Sequence, residues 1–249
     1  ASHTLPQNML RTLADSFMIK EKVILENADA YKLRIAAENK GKLLSNIAKF
    51  SRRIKSPSQY VQSQKYIFQY YTQHLFDYYS FDDPRMAFYP KVSDKILEFS
   101  KIILQLQAPD DTLAIQQLLH KAQQSPEIYT VFFDKIEKIF GTLSSPLWNE
   151  EIYLCMLNNA LQYEKLPAER QARYKSLYAI HQKNREGSLV PDFQILWADS
   201  TKSSLYDIES EYLILYFQNP DCPSCTELRE KIALNEDLNR AIDEGKIKL

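Results

Sequence analysis

The sequence predicts a mainly α-helical fold followed by the beginning of an α/β domain. From about residue 8 to residue 185, apolar residues recur at three- and four-residue intervals, the period of an amphipathic helix. Only four glycines occur in 249 residues, well below average usage, so few tight turns of the kind that sheets need are expected. We predict an N-terminal multi-helix domain of antiparallel helices over residues 1–186 and a second domain over residues 187–249.

The apolar stripes predict six to eight helices, and turn residues mark where several of them begin. A hydroxyl side chain or a proline in the first turn is typical of a helix N-terminus. Such signals occur at Ser125-Pro126, Ser145-Pro146 and Leu166-Pro167. The aromatic residues of segment 66–89 follow a helical face. We therefore favour packing between helices for them, with a ligand groove as the alternative.

The four glycines fall where periodic segments stop, as expected of residues that tolerate a positive φ after a helix. They are Gly41, Gly141, Gly187 and Gly245.

The chain beyond residue 186 predicts two or three strands and one helix. Segments 192–199 and 211–218 are rich in β-branched and aromatic residues, which favour strands. Segment 211–218 is almost uniformly apolar, which predicts a central strand covered on both faces. Segment 224–245 has helical spacing up to Gly245, and residues 246–249 begin another strand.

Composition excludes several functional classes. Lysine and arginine number 31 against 32 acidic residues, so no basic excess is available to bind nucleic acid. No glycine-rich phosphate loop occurs, which argues against a bound nucleotide. No apolar run approaches the ~18 residues that a membrane-spanning helix needs.

The spacing of Cys222 and Cys225 predicts redox chemistry. A C-x-x-C sequence between an apolar strand and a helix is the context in which this spacing indicates thiol–disulfide exchange. At the first turn of a helix, unpaired N–H groups and the helix dipole favour a thiolate, so Cys222 would be the attacking sulfur. One turn deeper on the same face, Cys225 would close a disulfide and resolve the mixed-disulfide intermediate.

Four residues around the cysteines are predicted to support the pair. Pro220 and Asp221 end the preceding strand, so that Cys222 falls at the helix start. Pro223 and Ser224 set the geometry of the turn and thereby bias the reduction potential.

Three other interpretations of the pair stay open: half of a zinc site, a purely structural disulfide, and two small apolar side chains that are close by chance. Zinc needs four ligands, but no second cysteine pair exists and the four histidines are scattered through the helical part. We expect no metal and no cofactor. The remaining cysteine, Cys155, lies in an apolar helix and is expected to be a buried, inert thiol.

Residues 191–225 resemble the N-terminal part of the thioredoxin-like modules of bacterial envelope thiol–disulfide oxidoreductases. That group is related to the alkyl hydroperoxide reductase superfamily, without a sharp boundary between the two. The resemblance lies in Pro-Asp-Phe at 191–193, Ser-Leu-Tyr-Asp at 204–207, the apolar strand and Asn-Pro-Asp-Cys-x-x-Cys at 219–225. The helical part resembles a domain of unknown function that precedes such modules in one bacterial group. This second similarity lies in segments 74–86, 144–161 and 181–193.

The resemblance implies a protein of the periplasm or cell envelope, often lipid-anchored, that catalyses disulfide exchange. Its implied reactive residues are Cys222 and Cys225, and its implied partners are protein thiols or disulfides and an unidentified thiol reductant. Thiol peroxidases of this fold keep threonine or serine three residues before the reactive cysteine. Here that residue is Asn219, so peroxide reduction is not expected.

The resemblance also implies an incomplete α/β thioredoxin-like domain. Complete modules continue with further strands and a loop whose cis-proline lies opposite the cysteines. We therefore expect a longer native protein, and we expect disulfide exchange of that longer protein rather than of this segment alone. The alternative function is a non-catalytic helical interaction module with a structural or vestigial cysteine pair.

Overall fold

The structure is a computed structural model that describes residues 7–54, 63–106, 109–183, 185, 187–219 and 221–249, with side chains from residue 15 onward. The chain divides into two compact units, Ala1–Gln182 and Lys183–Leu249. Helices dominate the described ranges, which confirms the predicted mainly α fold. None of the helices in those ranges combines the length and apolar character that crossing a membrane requires.

The first unit contains eight α-helices in its described ranges, within the predicted six to eight. Helix α1 packs on α2, α4 on α6, α5 on α7, and α7 on α8. The helices are α1 (Gln7–Glu38), α2 (Leu43–Phe50), α3 (Gln64–His74), α4 (Lys91–Ile103), α5 (Asp110–Ala122), α6 (Pro126–Phe140), α7 (Glu150–Leu161) and α8 (Ala168–His181), with a 3-10 helix at Pro84–Phe88 between α3 and α4. Residues 55–62, which belong to the stretch predicted to be helical, are outside the described residues.

An aromatic cluster lies in the core of the first unit. The ring of Phe132 on α6 is 5.3 Å from both Phe76 and Tyr79, and 5.6 Å from Phe81, measured between centroids. All four side chains are buried. Offset and edge-on rings at these distances add to the free energy gained from burial. These members of segment 66–89 therefore pack between helices, as the favoured interpretation predicted.

The helix-start predictions hold at one serine and fail at another. Ser125 is the N-cap of α6, where its hydroxyl accepts a hydrogen bond from the Ile128 N–H at 3.4 Å. Ser145 was predicted to start a helix, but α7 begins at Glu150 and its N-cap is Asn149. The Asn149 side chain accepts from the Ile152 N–H at 3.0 Å, and residues 142–148 form turns instead. Either residue type can cap a helix, so the sequence alone did not discriminate between them.

Gly141, at the C-terminus of α6, does not have the predicted positive φ. Its φ is −99°, a value open to any residue. The glycine is needed for space, because a Cβ there would lie 2.5 Å from Cε2 of the buried Tyr153 ring. Gly245 does adopt the predicted left-handed conformation, with φ +74°.

The second unit contains two two-stranded sheets, two α-helices and a 3-10 helix (Leu205–Asp207) in its described ranges. Strands β1 (Gln194–Leu196) and β2 (Lys202–Ser204) form an antiparallel hairpin, and β3 (Tyr212–Leu213) pairs in parallel with β4 (Ile247–Lys248). Helices α9 (Pro223–Ala233) and α10 (Glu236–Asp243) connect β3 to β4. Parallel strands need such a crossover, so β3, the helices and β4 form a βαβ unit.

The prediction of a long, covered strand over residues 211–218 is wrong. Pairing extends along β3 and one residue further, where the Ile214 N–H donates to the Lys248 carbonyl at 2.8 Å. Beyond it the chain is unpaired with any described strand, and the Phe217 side chain is 80% exposed. An apolar run becomes a covered strand only where neighbouring elements lie against it, and in the described residues β4 pairs with only its beginning.

The single helix predicted over residues 224–245 is two helices. Asn235 interrupts it, because its side chain accepts from the Leu238 N–H at 2.9 Å and caps α10. Asparagine favours such caps over helix interiors. The predicted strand at the end of the chain is present as β4.

Candidate redox site

Cys222 lies at the N-terminus of α9, where the sequence predicted it. It is the N-cap residue, and its carbonyl accepts hydrogen bonds from the N–H groups of Cys225 at 3.1 Å and Thr226 at 3.2 Å. The Cys222 N–H in turn donates to the Asn219 carbonyl at 3.1 Å. The side chain therefore lies where the free N–H groups and the positive end of the helix dipole stabilise a negative charge.

The two sulfurs of the C-x-x-C pair are close, reduced and partly exposed. Neither is in a disulfide, and both side chains are half-buried. The Cys225 thiol donates a hydrogen bond to the Cys222 sulfur and lowers the pKa of Cys222. The N–H groups of Cys225 and Ser224 also lower this pKa. Together with the Cys225 thiol they outweigh the partial desolvation, which raises it. Cys222 is therefore poised to ionise more readily than an ordinary thiol.

The predicted supporting residues shape the turn before and inside this helix start. The Asp221 N–H donates to the Asn219 side-chain oxygen at 3.2 Å, which closes a tight turn before Cys222. Pro223 is the first residue of α9, where its missing N–H leaves no hydrogen bond unmade. The Ser224 N–H helps to lower the pKa of Cys222. Pro220 lies outside the described residues, and the influence of the other three on the reduction potential stays a prediction.

Tyr216 belongs to the site, although the sequence did not single it out. Its hydroxyl donates a hydrogen bond to the Cys225 carbonyl at 2.7 Å. Burial raises the pKa of Tyr216, and the charges that the thiols of Cys225 and Cys222 can carry raise it further. The available signal was a residue with a polar tip inside an otherwise apolar run, six positions before Cys222.

In the part of the chain that the structure describes, no metal-binding cluster accompanies the pair. Within the described ranges, no three histidine, cysteine, aspartate or glutamate side chains lie together in a way that could hold an ion. Cys155 lies on α7 in the first unit, half-buried, with its thiol donating to the Thr112 carbonyl at 3.5 Å. Burial raises the pKa of Cys155, so it is a poor nucleophile at neutral pH.

The two units define the class of protein. A helical domain is followed by a βαβ unit that carries a C-x-x-C sequence at a helix N-terminus. The chain belongs to the family described as Domain of unknown function (DUF5106), which matches residues 34–184. This agrees with the predicted resemblance of the helical part. No curated protein matches the sequence.

A solved structure shows the same fold. The crystal structure of a thioredoxin-like protein from Bacteroides caccae superimposes with a TM-score of 0.64 at 22% sequence identity. The match covers 78% of this chain and 71% of that chain. At this identity the similarity establishes the fold, which is thus that of a thioredoxin-like protein, and leaves the chemistry to the site itself.

Proposed function

We propose that the second unit exchanges disulfides through Cys222 and Cys225. The observation that carries the proposal is the position of Cys222 as the N-cap residue of α9, where the Cys225 thiol and the backbone N–H groups of Cys225 and Ser224 lower its pKa. Such donors interact more strongly with a thiolate than with a thiol, so they favour the nucleophilic form. The thioredoxin-like fold supports the same function.

In the proposed reaction the Cys222 thiolate attacks one sulfur of a substrate disulfide. A mixed disulfide forms and the other substrate sulfur leaves as a thiolate, which takes up a proton. Cys225 then loses its proton and attacks the Cys222 sulfur, which releases the second substrate thiol and leaves a Cys222–Cys225 disulfide. Two electrons have passed from the cysteine pair to the substrate, and a thiol reductant restores the pair. The reverse sequence oxidises a substrate dithiol.

The setting of this reaction is part of the proposal. We assign protein thiols or disulfides as substrates, and the cell envelope or periplasm as the compartment, with the lipid anchor that the resemblance implies. The sequence resemblance of residues 191–225 supports these assignments. Disulfide chemistry is also favoured in such oxidising compartments.

A second candidate function is favoured by the first half of α1. Its side chains Phe17, Ile19 and Ile24 are each at least 65% exposed. Large apolar side chains gathered on one exposed segment are typical of a surface that contacts another protein. In this alternative the helical unit is an interaction module, and the cysteine pair is structural or vestigial.

Alkylation of the thiols across a pH series tests the proposed function. With limiting iodoacetamide and mass spectrometry of the peptides, we expect Cys222 to react below the pH at which an ordinary thiol of pKa about 8.5 ionises. Cys155 is an internal control in the same chain, and it should require a higher pH because its pKa is raised. If Cys222 requires the same pH as Cys155, the disulfide-exchange proposal is wrong and the interaction module is favoured.

A further inference from the structure

The Tyr216 hydroxyl joins the segment after β3 to the helix that carries the cysteines. We propose that Tyr216 is a positioning residue that fixes the first turn of α9 and thereby sets how readily Cys222 ionises. This inference rests on the proposed disulfide exchange, because it describes how that site is tuned.

The hydrogen bond of Tyr216 reaches the backbone of the redox pair. Its acceptor is the Cys225 carbonyl, at 2.7 Å, and its donor lies on a different element from the helix. The side chain is half-buried, whereas Leu215 and Phe217, its neighbours in sequence, are exposed. Of these three side chains, Tyr216 is the one that the burial pattern and the hydrogen bond place against α9.

The bonded carbonyl is directly coupled to the groups that stabilise the Cys222 thiolate. Cys225 supplies the thiol that lowers the pKa of Cys222, and its N–H donates to the Cys222 carbonyl at 3.1 Å. The carbonyl that accepts from Tyr216 belongs to the same residue, so this hydrogen bond holds the residue from which both interactions come. Within α9 the Cys225 carbonyl can also accept a hydrogen bond from the N–H of Arg229, four residues later. Loss of the tyrosine hydroxyl would therefore loosen the turn without leaving this carbonyl unpaired.

The charges near Tyr216 show that it acts as a donor. Burial and the nearby Cys225 and Cys222 thiols raise the pKa of Tyr216, while Arg229 on the next turn of α9 lowers it less. The phenol is therefore protonated at the pH where Cys222 ionises. It cannot remove a proton from Cys225, and its role is to hold the turn.

Substitution of Tyr216 by phenylalanine tests the inference in the 249-residue chain. In Tyr216→Phe we expect the alkylation rate of Cys222 at pH 7 to fall roughly threefold, and its pH profile to move to higher pH. The net free energy of one hydrogen bond changes an equilibrium constant by at most about tenfold. Only part of that free energy affects the ionisation of Cys222. Tyr212→Phe is the matched control, because Tyr212 lies on β3 with an exposed side chain and should retain the wild-type profile.

The same comparison in a Cys225→Ala background separates backbone positioning from an effect on the Cys225 thiol. Because the acceptor is a main-chain carbonyl, we expect the Tyr216→Phe effect to persist there. Far-UV circular dichroism checks that each variant keeps its helices; if Tyr216→Phe loses them, Tyr216→Trp, which retains an N–H donor, is expected to keep both the helices and the wild-type profile.

Two outcomes overturn the inference, and they are distinguishable. If wild-type Cys222 ionises early and Tyr216→Phe leaves its profile unchanged, the positioning role fails while disulfide exchange stands. If wild-type Cys222 itself behaves as an ordinary thiol, both the proposed function and the positioning role fail.

Discussion

Truncation of Phe132 to alanine tests the packing of the helical unit most sharply. Phe132 is fully buried on α6, and its ring contacts three other buried rings, those of Phe76, Tyr79 and Phe81. These three belong to the segment between α3 and the 3-10 helix, so the phenylalanine connects this irregular segment to a regular helix.

The expected loss of stability follows from the cavity and the lost ring contacts. Replacing a fully buried phenylalanine by alanine typically costs about 3–5 kcal/mol, since the transfer free energy of the ring and the cost of the cavity add. For a unit of this size, 1 kcal/mol shifts the unfolding midpoint by about 2–4 °C. We therefore expect Phe132→Ala to lower the midpoint of the helical unit by about 6–20 °C.

Thermal and urea unfolding followed by far-UV circular dichroism measure this effect. The matched control is Phe88→Ala, which removes the same ring from a side chain that is 75% exposed. We expect the control to change the free energy of unfolding by less than about 0.5 kcal/mol. Equal shifts for the two variants would refute the placement of Phe132 at the centre of the aromatic cluster.

Two further substitutions test other parts of the helical unit. Gly141→Ala should destabilise it by about 1–3 kcal/mol in urea unfolding, because the new Cβ would lie 2.5 Å from the Tyr153 ring, and an unchanged midpoint would contradict this close approach. The hydrogen bond from Arg85 holds the pKa of Asp83 below its usual range. The Asp83 carboxylate therefore stabilises the fold fully at pH values above the usual pKa of aspartate, and this stabilisation is lost as the pH falls through the lowered pKa. We therefore expect Asp83→Asn to destabilise the unit at pH 7 and progressively less in acid below about pH 4. Asp82→Asn, at the exposed neighbouring position, is the control and should change the free energy of unfolding at pH 7 by less than about 0.5 kcal/mol.

The helical unit could be predicted from the sequence because its signals are local. An apolar stripe and a capping residue such as Ser125 both act within one or two helical turns. Predicted helix boundaries are wrong where two capping residues compete, as at Ser145 and Asn149. They are also wrong where a capping residue lies within an apolar period, as at Asn235. The fit of Gly141 against Tyr153 joins two helices and left no local signal in the sequence.

The second unit was less predictable, because pairing of strands depends on residues far apart in the chain. The apolar segment after Glu211 correctly indicated a strand, but its length depends on β4, more than thirty positions away in sequence. The cysteine pair was predictable, since the order of strand, C-x-x-C and helix fixes Cys222 near a helix start. Tyr216 was not, because its contact with the Cys225 carbonyl depends on how the segment after β3 packs on α9.

The most direct test of the account is to trap the intermediate of the exchange reaction with oxidised glutathione. In the Cys225→Ala variant, we predict that mass spectrometry finds a stable mixed disulfide of glutathione on Cys222, with one glutathione thiol released. In the wild-type chain, the same adduct should be resolved into a Cys222–Cys225 disulfide with release of a second glutathione thiol. A stable adduct on wild-type Cys222, or modification of Cys155 in preference to it, would contradict the assignment of Cys222 as attacking sulfur and Cys225 as resolving sulfur.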